Sequence, residues 1–458
     1  MRATTLAIIA SDGIEQLRTD DPHLYALLDR EYRRQTNVLA MVAASSIADP
    51  SVLACEGTVA ANVTTEGYPG ARFHGGCEVV DDIERLAIKR ACAAFGAHYA
   101  NVQPHSGTSA NQAVLFGLLK PGDTILGLDL SSGGHLSHGA TASISGRYFN
   151  AVGYGLDSNG LIDYDQVRQL ALESRPKVII SGASAYPRVI DFAQFRAIAD
   201  EVGAFLLADI SHIAGLVAAG VHPSPINHAH FTTTSTYKQL YGPRGGLILM
   251  GRDYIQDAPG GKGTLADLMQ RAVFPFFQGT PNLNAIAAKA RALAIVASPL
   301  FAELGRRIVA DARTLATSLI DRGYRVLTGG SDNHLVLIDV SVLGLTGVGV
   351  ERALERCDIV VNKNRIGGDK RSASVASGVR LGTNSLALRG MGTLEMDRCA
   401  YLMHRVLSCV RVDGGGELHL DTASRASIRR EVAELCAHFP IPRYPLAQPE
   451  WKDEIQHV

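Results

Sequence analysis

The sequence predicts an α/β fold: a large domain on a mostly parallel sheet covered on both faces, then a smaller α+β domain. Two observations carry this. Between about residues 83 and 250, short apolar runs alternate with helical stretches, the pattern of strands joined by crossover helices. From about Ser298 the pattern becomes a long helical stretch followed by separated short strands. The chain accordingly divides into an N-terminal arm and helix (1–40), a large domain (41–297) and a small C-terminal domain (298–458). Forty-six glycines and an aromatic content of 6% suit a fold with many tight turns.

Asp21-Pro22, followed by Leu24, Leu27, Leu28 and Tyr32, reads as an arm leading into an amphipathic helix. Residues 83–95 are predicted helical, 99–102 a short strand, and 109–119 a helix closed by Pro121-Gly122. Strands are predicted at 124–128, 178–180, 205–208 and 246–250. Residues 284–297 and 301–319 are predicted helices, and 324–327, 335–340, 359–361 and 378–381 supply the strands of the small domain. Residues 451–458 are predicted to be a solvated tail.

Composition narrows the function. A net charge of −1 gives no electrostatic case for nucleic acid or an anionic membrane. No apolar run is long enough to span a bilayer. The mildly apolar opening, residues 1–10, is broken by Ser11-Asp12-Gly13, which argues against a signal peptide. Seven scattered cysteines, none in a CxxC pair, argue against a disulfide framework or a zinc site. A reduced, cytoplasmic enzyme without a metal is expected.

Lys238 carries the strongest chemical signal. It leaves the hydroxyl-rich strand Thr233-Thr234-Ser235-Thr236-Tyr237 and precedes the turn Gly242-Pro243-Arg244-Gly245-Gly246. That place suits a lysine that condenses with the aldehyde of pyridoxal 5'-phosphate (PLP). The amine is held, desolvated and surrounded by small donors such as Ser235. Ser106-Gly107-Thr108, opening a helix, offers free N–H groups and the positive end of the helix dipole to a phosphate; an ordinary helix cap has the same composition. Asp209 closes a hydrophobic strand one helix–strand unit before Lys238. A carboxylate there can pair with a protonated pyridine nitrogen, or simply make a turn. His135, on the Gly133-Gly134 turn, can stack on the cofactor ring or be a loop histidine. Arg380, in a small-domain strand, can fork onto a substrate carboxylate or pair with surface acids.

Together with segments 66–70, 75–78, 101–107, 121–127, 133–139, 212–220 and 242–246, these residues resemble the serine hydroxymethyltransferase family over roughly residues 20–440. The resemblance implies a fold-type I PLP-dependent transferase with a seven-stranded sheet. It implies small-molecule amino acid and aldehyde substrates, and a homodimer or homotetramer with shared active sites. Lys238 is then the Schiff-base lysine, Asp209 the partner of the pyridine nitrogen, His135 the ring-stacking histidine, and Ser106, Gly107 and Thr108 the phosphate ligands. Gly279 and Thr280 match a phosphate-binding pair from the neighbouring subunit, where the family has two glycines. His212 matches a histidine near the cofactor oxygen, Arg244 an arginine near the lysine, Arg380 the carboxylate anchor and Asn364 a position associated with the pterin. Glu66 matches the acid that handles the substrate hydroxyl, also donated across the interface.

The departures from the family cluster on one side. An active-site tyrosine is Thr64, and two tyrosines lining the substrate and folate pocket are Phe73 and His74. A serine near the substrate carboxylate is lost at Ala44, the histidine before the lysine is Tyr237, Phe276 replaces a small residue beside Phe277, and a pocket phenylalanine is Ser374. Cofactor and carboxylate anchors stay while the acceptor side changes. The expected function is Cα–Cβ cleavage or formation on β-hydroxy-α-amino acids through a glycine carbanion. Its expected form is a threonine transaldolase or aldolase of specialised metabolism with no requirement for tetrahydrofolate. Glu66, with His74 or Tyr237, would move the hydroxyl proton. The alternatives are a tetrahydrofolate-dependent serine or α-methylserine hydroxymethyltransferase, and a non-catalytic PLP-binding paralogue.

Overall fold

The computed structural model of the chain describes residues 4–412 and 418–446; the expected tail at 451–458 lies outside the described residues. At its centre is a seven-stranded sheet of β1 (Tyr99–Asn101), β2 (Thr124–Leu128), β3 (Asn150–Tyr154), β4 (Val178–Ser181), β5 (Phe205–Asp209), β6 (Phe231–Ser235) and β7 (Gly246–Met250). Their spatial order is β1-β7-β6-β5-β4-β2-β3. Neighbours are parallel except the two pairs made by β7, which runs against both β6 and β1. Every residue of β4, β6 and β7 is buried, so these strands read as continuous runs with no polar alternation. β3 escapes a sequence reading because it is an edge strand: only its last residue, Tyr154, is buried, and no apolar run marks it.

The sheet is covered on both faces. One apolar core includes Ala87, Ala91, Phe95, Phe192 and Phe195; the other includes Ala110, Val114, Leu115, Leu265 and Met269. The N-terminal segment is helical from further back than the sequence marks, in α1 (Thr5–Asp20) and α2 (Pro22–Asn37). Thr4 caps α1 by accepting from the Ala7 N–H. Helices α3 (Glu78–Phe95) and α4 (Gly107–Leu118) flank β1 in sequence.

Helices α5 (Leu283–Val296) and α6 (Pro299–Asp321) lead to an antiparallel sheet of β8 (Arg325–Val326), β9 (Leu335–Asp339), β10 (Asn362–Asn364) and β11 (Gly378–Gly382), in the order β8-β9-β11-β10. Its core joins Leu315 and Leu319 of α6 to Ile338, Val379 and Leu402, and also takes in Leu39 and Met41. In β11, Arg380 is flanked by Leu337 on one side and Asn362 on the other. Among the described residues no single helix is long and apolar enough to cross a membrane. The bent pair α5–α6 is apolar because much of it is buried in the core.

Candidate active site

The carboxyl ends of β5 and β6, the turn after β2 and the start of α4 meet around one cavity, where open α/β sheets place ligands. Gly107, Thr108, His135, Asp209, His212, Ser235, Tyr237 and Lys238 all line it. Eight sequence-predicted residues are thus brought together.

Ser106 caps α4, its Oγ accepting from the Ser109 N–H at 3.0 Å. A Cβ at Gly107 would lie 3.1 Å from Ser211 Oγ and from Ser235 N, so a side chain there would press α4 away from β6. Ser235 Oγ is buried without a hydrogen-bond partner. A buried, unpaired hydroxyl beside the free N–H groups of a helix start fits an anionic group.

Asp209 is held from three directions. Its Oδ2 accepts from Asn111 Nδ2 at 2.7 Å and lies 2.9 Å from His138 Nε2, while Oδ1 accepts from the Ser211 N–H at 3.0 Å. Asn111 is fixed in turn by Thr233, whose hydroxyl donates to its Oδ1. Burial works against the ionised form of Asp209. The bond to His138, the charge of His138 and the bond from Ser211 outweigh it and hold the carboxyl well below the usual carboxylate range. A buried, oriented carboxylate fits a protonated pyridine nitrogen. His135, His138 and Asp209 are also close enough to share a cation, but Asp209 Oδ2 is already engaged by His138 and Asn111. Neither His138 nor Asn111 was singled out from the sequence. The available signal for His138 was its spacing, three residues after His135 on the same glycine-flanked turn.

His135 receives the Ser137 N–H on Nδ1 at 3.2 Å. Burial, then the charge of His138, push it down to about 4, so the ring is neutral near pH 7 and suited to lying against a cofactor ring. The turn that carries it presses on β2: a Cβ at Gly134 would lie 2.0 Å from Leu128 O.

Lys238 is buried, with its Nζ 6.0 Å from the Tyr237 ring centroid. Burial pushes the amine down to about 8, with Asp209 opposing and Arg380 and Arg244 assisting. The neutral amine is the nucleophile, so protein freed of PLP should take it up about tenfold faster per pH unit below pH 8 and level off above. A loading rate that keeps climbing towards pH 10 would show an ordinary surface amine. Arg244, itself exposed, stacks its guanidinium 4.2 Å from the Tyr237 ring centroid.

Arg380 reaches the cavity from the small domain. Its Nη1 donates to Ser184 O at 2.6 Å and its Nε to Asn362 Oδ1 at 3.1 Å. Burial pushes it down to about 10, still charged near neutral pH. His212 is buried, and its ring stacks on that of His334 with centroids 5.7 Å apart. Burial and the charges of Lys238 and Arg380 keep His212 neutral. Asn362 and His334 had no sequence signal as site residues. Asn364, the expected pterin position, lies two residues along β10 from Asn362 and therefore on the same face of the strand; its Nδ2 donates to Arg365 O.

A second cluster stands outside that cavity. Glu66 Oε2 lies 3.3 Å from His74 Nε2, and both side chains are substantially exposed, at 38% and 45%. Gly279 belongs here, since a Cβ on it would lie 3.7 Å from Glu66 Oε1. Thr280 O lies 3.3 Å from His105 Nε2. Thr64 and Ser374 are exposed, Phe276 is 64% exposed, and Phe277 packs on Phe116. Beneath the cluster, Arg72 ties the loop to α3. It donates to Thr65 O and Gly67 O and pairs with Asp81 and Glu84. Among the described residues of one chain, Glu66, His74, Gly279 and Thr280 are not part of the lining of the Lys238 cavity.

A family model described as serine hydroxymethyltransferase matches residues 17–403, and the chain belongs to that family. The architecture is that of fold-type I PLP enzymes. Members use PLP for Cα–Cβ chemistry on hydroxy amino acids and are typically oligomeric.

Proposed function

We propose that this member of the serine hydroxymethyltransferase family is a folate-independent L-threonine aldolase or transaldolase. It would cleave the Cα–Cβ bond of threonine and release acetaldehyde. The glycine carbon would then take a proton or add to a second aldehyde. The observation that carries this reading is the Glu66–His74 pair at 3.3 Å. The acid expected to handle the substrate hydroxyl is partnered by an imidazole where the family has a tyrosine. Thr64, also in place of a tyrosine, is exposed on the same loop.

PLP, when bound, supplies the sink for the electron pair left at Cα. Lys238 would hold it through Nζ, the start of α4 with Ser235 Oγ would take its phosphate, and Asp209 would accept from its ring nitrogen. Arg380 binds the substrate carboxylate. Asn362 and Ser184 fix its Nε and Nη1, which leaves Nη2 free among the described residues to receive a carboxylate oxygen already oriented. Glu66 takes the β-hydroxyl proton as the Cα–Cβ bond breaks and returns it in the reverse direction. Because Glu66, Gly279 and Thr280 lie outside their own chain's cavity, they are assigned to the cavity of a second copy. Such an assembly matches the shared sites the resemblance implies.

The second reading, a tetrahydrofolate-dependent hydroxymethyltransferase, is favoured by Asn364, which shares a strand face with the residue that holds Arg380. The double variant Thr64→Tyr/His74→Tyr separates the two. Both positions are exposed, so folding should survive. The ratio of folate-dependent serine turnover to threonine cleavage should rise by about tenfold or more, the scale of one lost or gained polar contact. An unchanged ratio would show that these positions do not set the acceptor.

A further inference from the structure

α5 carries a lysine in the interior of the large domain. Lys289 is 2% exposed, among the alanines and leucines of a core helix. Its Nζ donates to Val102 O at 2.6 Å, Pro104 O at 3.0 Å and Gly246 O at 3.0 Å. Three acceptors match the three N–H donors of an ammonium, and a neutral amine could not serve all of them.

Those three carbonyls have one thing in common. Val102 and Pro104 belong to the segment that runs from β1 into Ser106, and Gly246 is the first residue of β7. The two segments are joined directly, Gly246 N donating to Pro104 O at 2.9 Å. They are also in close contact at the cradle itself: a Cβ at Gly246 would lie 2.3 Å from Ser106 O. The ammonium therefore ties together the two backbone walls on which Ser106-Gly107-Thr108 rests. Burial pushes the amine down to about 7, against which the three carbonyl oxygens favour the ammonium, so the tie rests on these three bonds.

We propose that Lys289 is the positioning residue of the phosphate cradle, setting where the start of α4 stands and hence how strongly the site favours the phosphorylated form of its cofactor over the form without phosphate. This rests on the reading of Ser106–Thr108 and Ser235 as the phosphate site. A merely structural lysine would affect both forms alike.

The test compares PLP with pyridoxal, which has the same ring and aldehyde but no phosphate. Dissociation constants for both are measured on protein freed of PLP, for the native chain, Lys289→Met and Gly245→Ala. The glycine variant displaces the amine without removing it, because a Cβ there would lie 2.2 Å from Lys289 Cε and 2.8 Å from Nζ. Lys289→Met should weaken PLP by about tenfold or more while moving pyridoxal by less than about twofold, the scale of a lost charge-assisted hydrogen bond. Gly245→Ala should shift the ratio in the same direction by less, and it decides alone if Lys289→Met does not fold. Equal losses for both ligands, or no loss for PLP, would overturn the proposal. A native protein that binds pyridoxal as tightly as PLP would overturn the cradle reading itself, and the role of Lys289 with it.

Discussion

Lys238→Ala is expected to abolish both turnover and the long-wavelength absorbance that PLP shows when held through a lysine. Among the described residues, Lys238 is the one lysine lining the cavity formed by Asp209, His135 and the start of α4. Lys289, also buried, has its amine committed to three carbonyls and is not placed to substitute. The phosphate cradle and Asp209 are untouched by the change, so PLP should still bind, without the covalent link. The rate should fall by at least about 10³-fold, since a positioned nucleophile is replaced by chance encounter with free amine. Absorbance scans of the variant with and without added PLP, alongside glycine formation from threonine, check both halves. A variant that turns over at the native rate would remove Lys238 from the chemistry.

Glu66→Gln should lower kcat for threonine cleavage by about 10²–10⁴-fold, the usual worth of a general acid–base group. The amide keeps the shape of the loop, which is held from below by Arg72, Asp81 and Glu84 rather than by the Glu66 side chain. PLP binding should therefore persist. The diagnostic comparison is exchange of the glycine α-proton, followed by NMR. That exchange involves no hydroxyl proton, so it should survive in the variant while cleavage is lost. If both reactions fell together, Glu66 would serve the cofactor or the fold, not the hydroxyl.

Much of the fold is legible because burial on both faces writes its strands as short unbroken apolar or hydroxyl-rich runs. β3 is illegible for the complementary reason: as an edge strand it has exposed residues and no run. The site divides in the same way. Lys238, Asp209, His135 and Ser106–Thr108 each stand where a strand ends or a helix begins, next to glycines or hydroxyls that mark the position locally. Asn111, His138, Asn362 and His334 acquire their importance from approaches across the fold. Asn111 meets Asp209 from 98 positions away, and Arg380 reaches Ser184 across 196. Lys289 is the extreme case, an unremarkable helix position whose three acceptors lie 43 to 187 residues away. The pair Phe276-Phe277, equivocal in sequence, separates in three dimensions. Phe277 packs on Phe116, while Phe276 is largely exposed.

The most direct test of the central claim is to mix PLP-loaded protein with L-threonine or L-serine, each with and without tetrahydrofolate, and to follow absorbance and released aldehyde together. Acetaldehyde release from threonine, at a rate indifferent to tetrahydrofolate and faster than any serine turnover, is the predicted result. Serine conversion to glycine that requires tetrahydrofolate, with threonine inert, would contradict the account and make the changes at Thr64, Phe73 and His74 compatible with hydroxymethyl transfer.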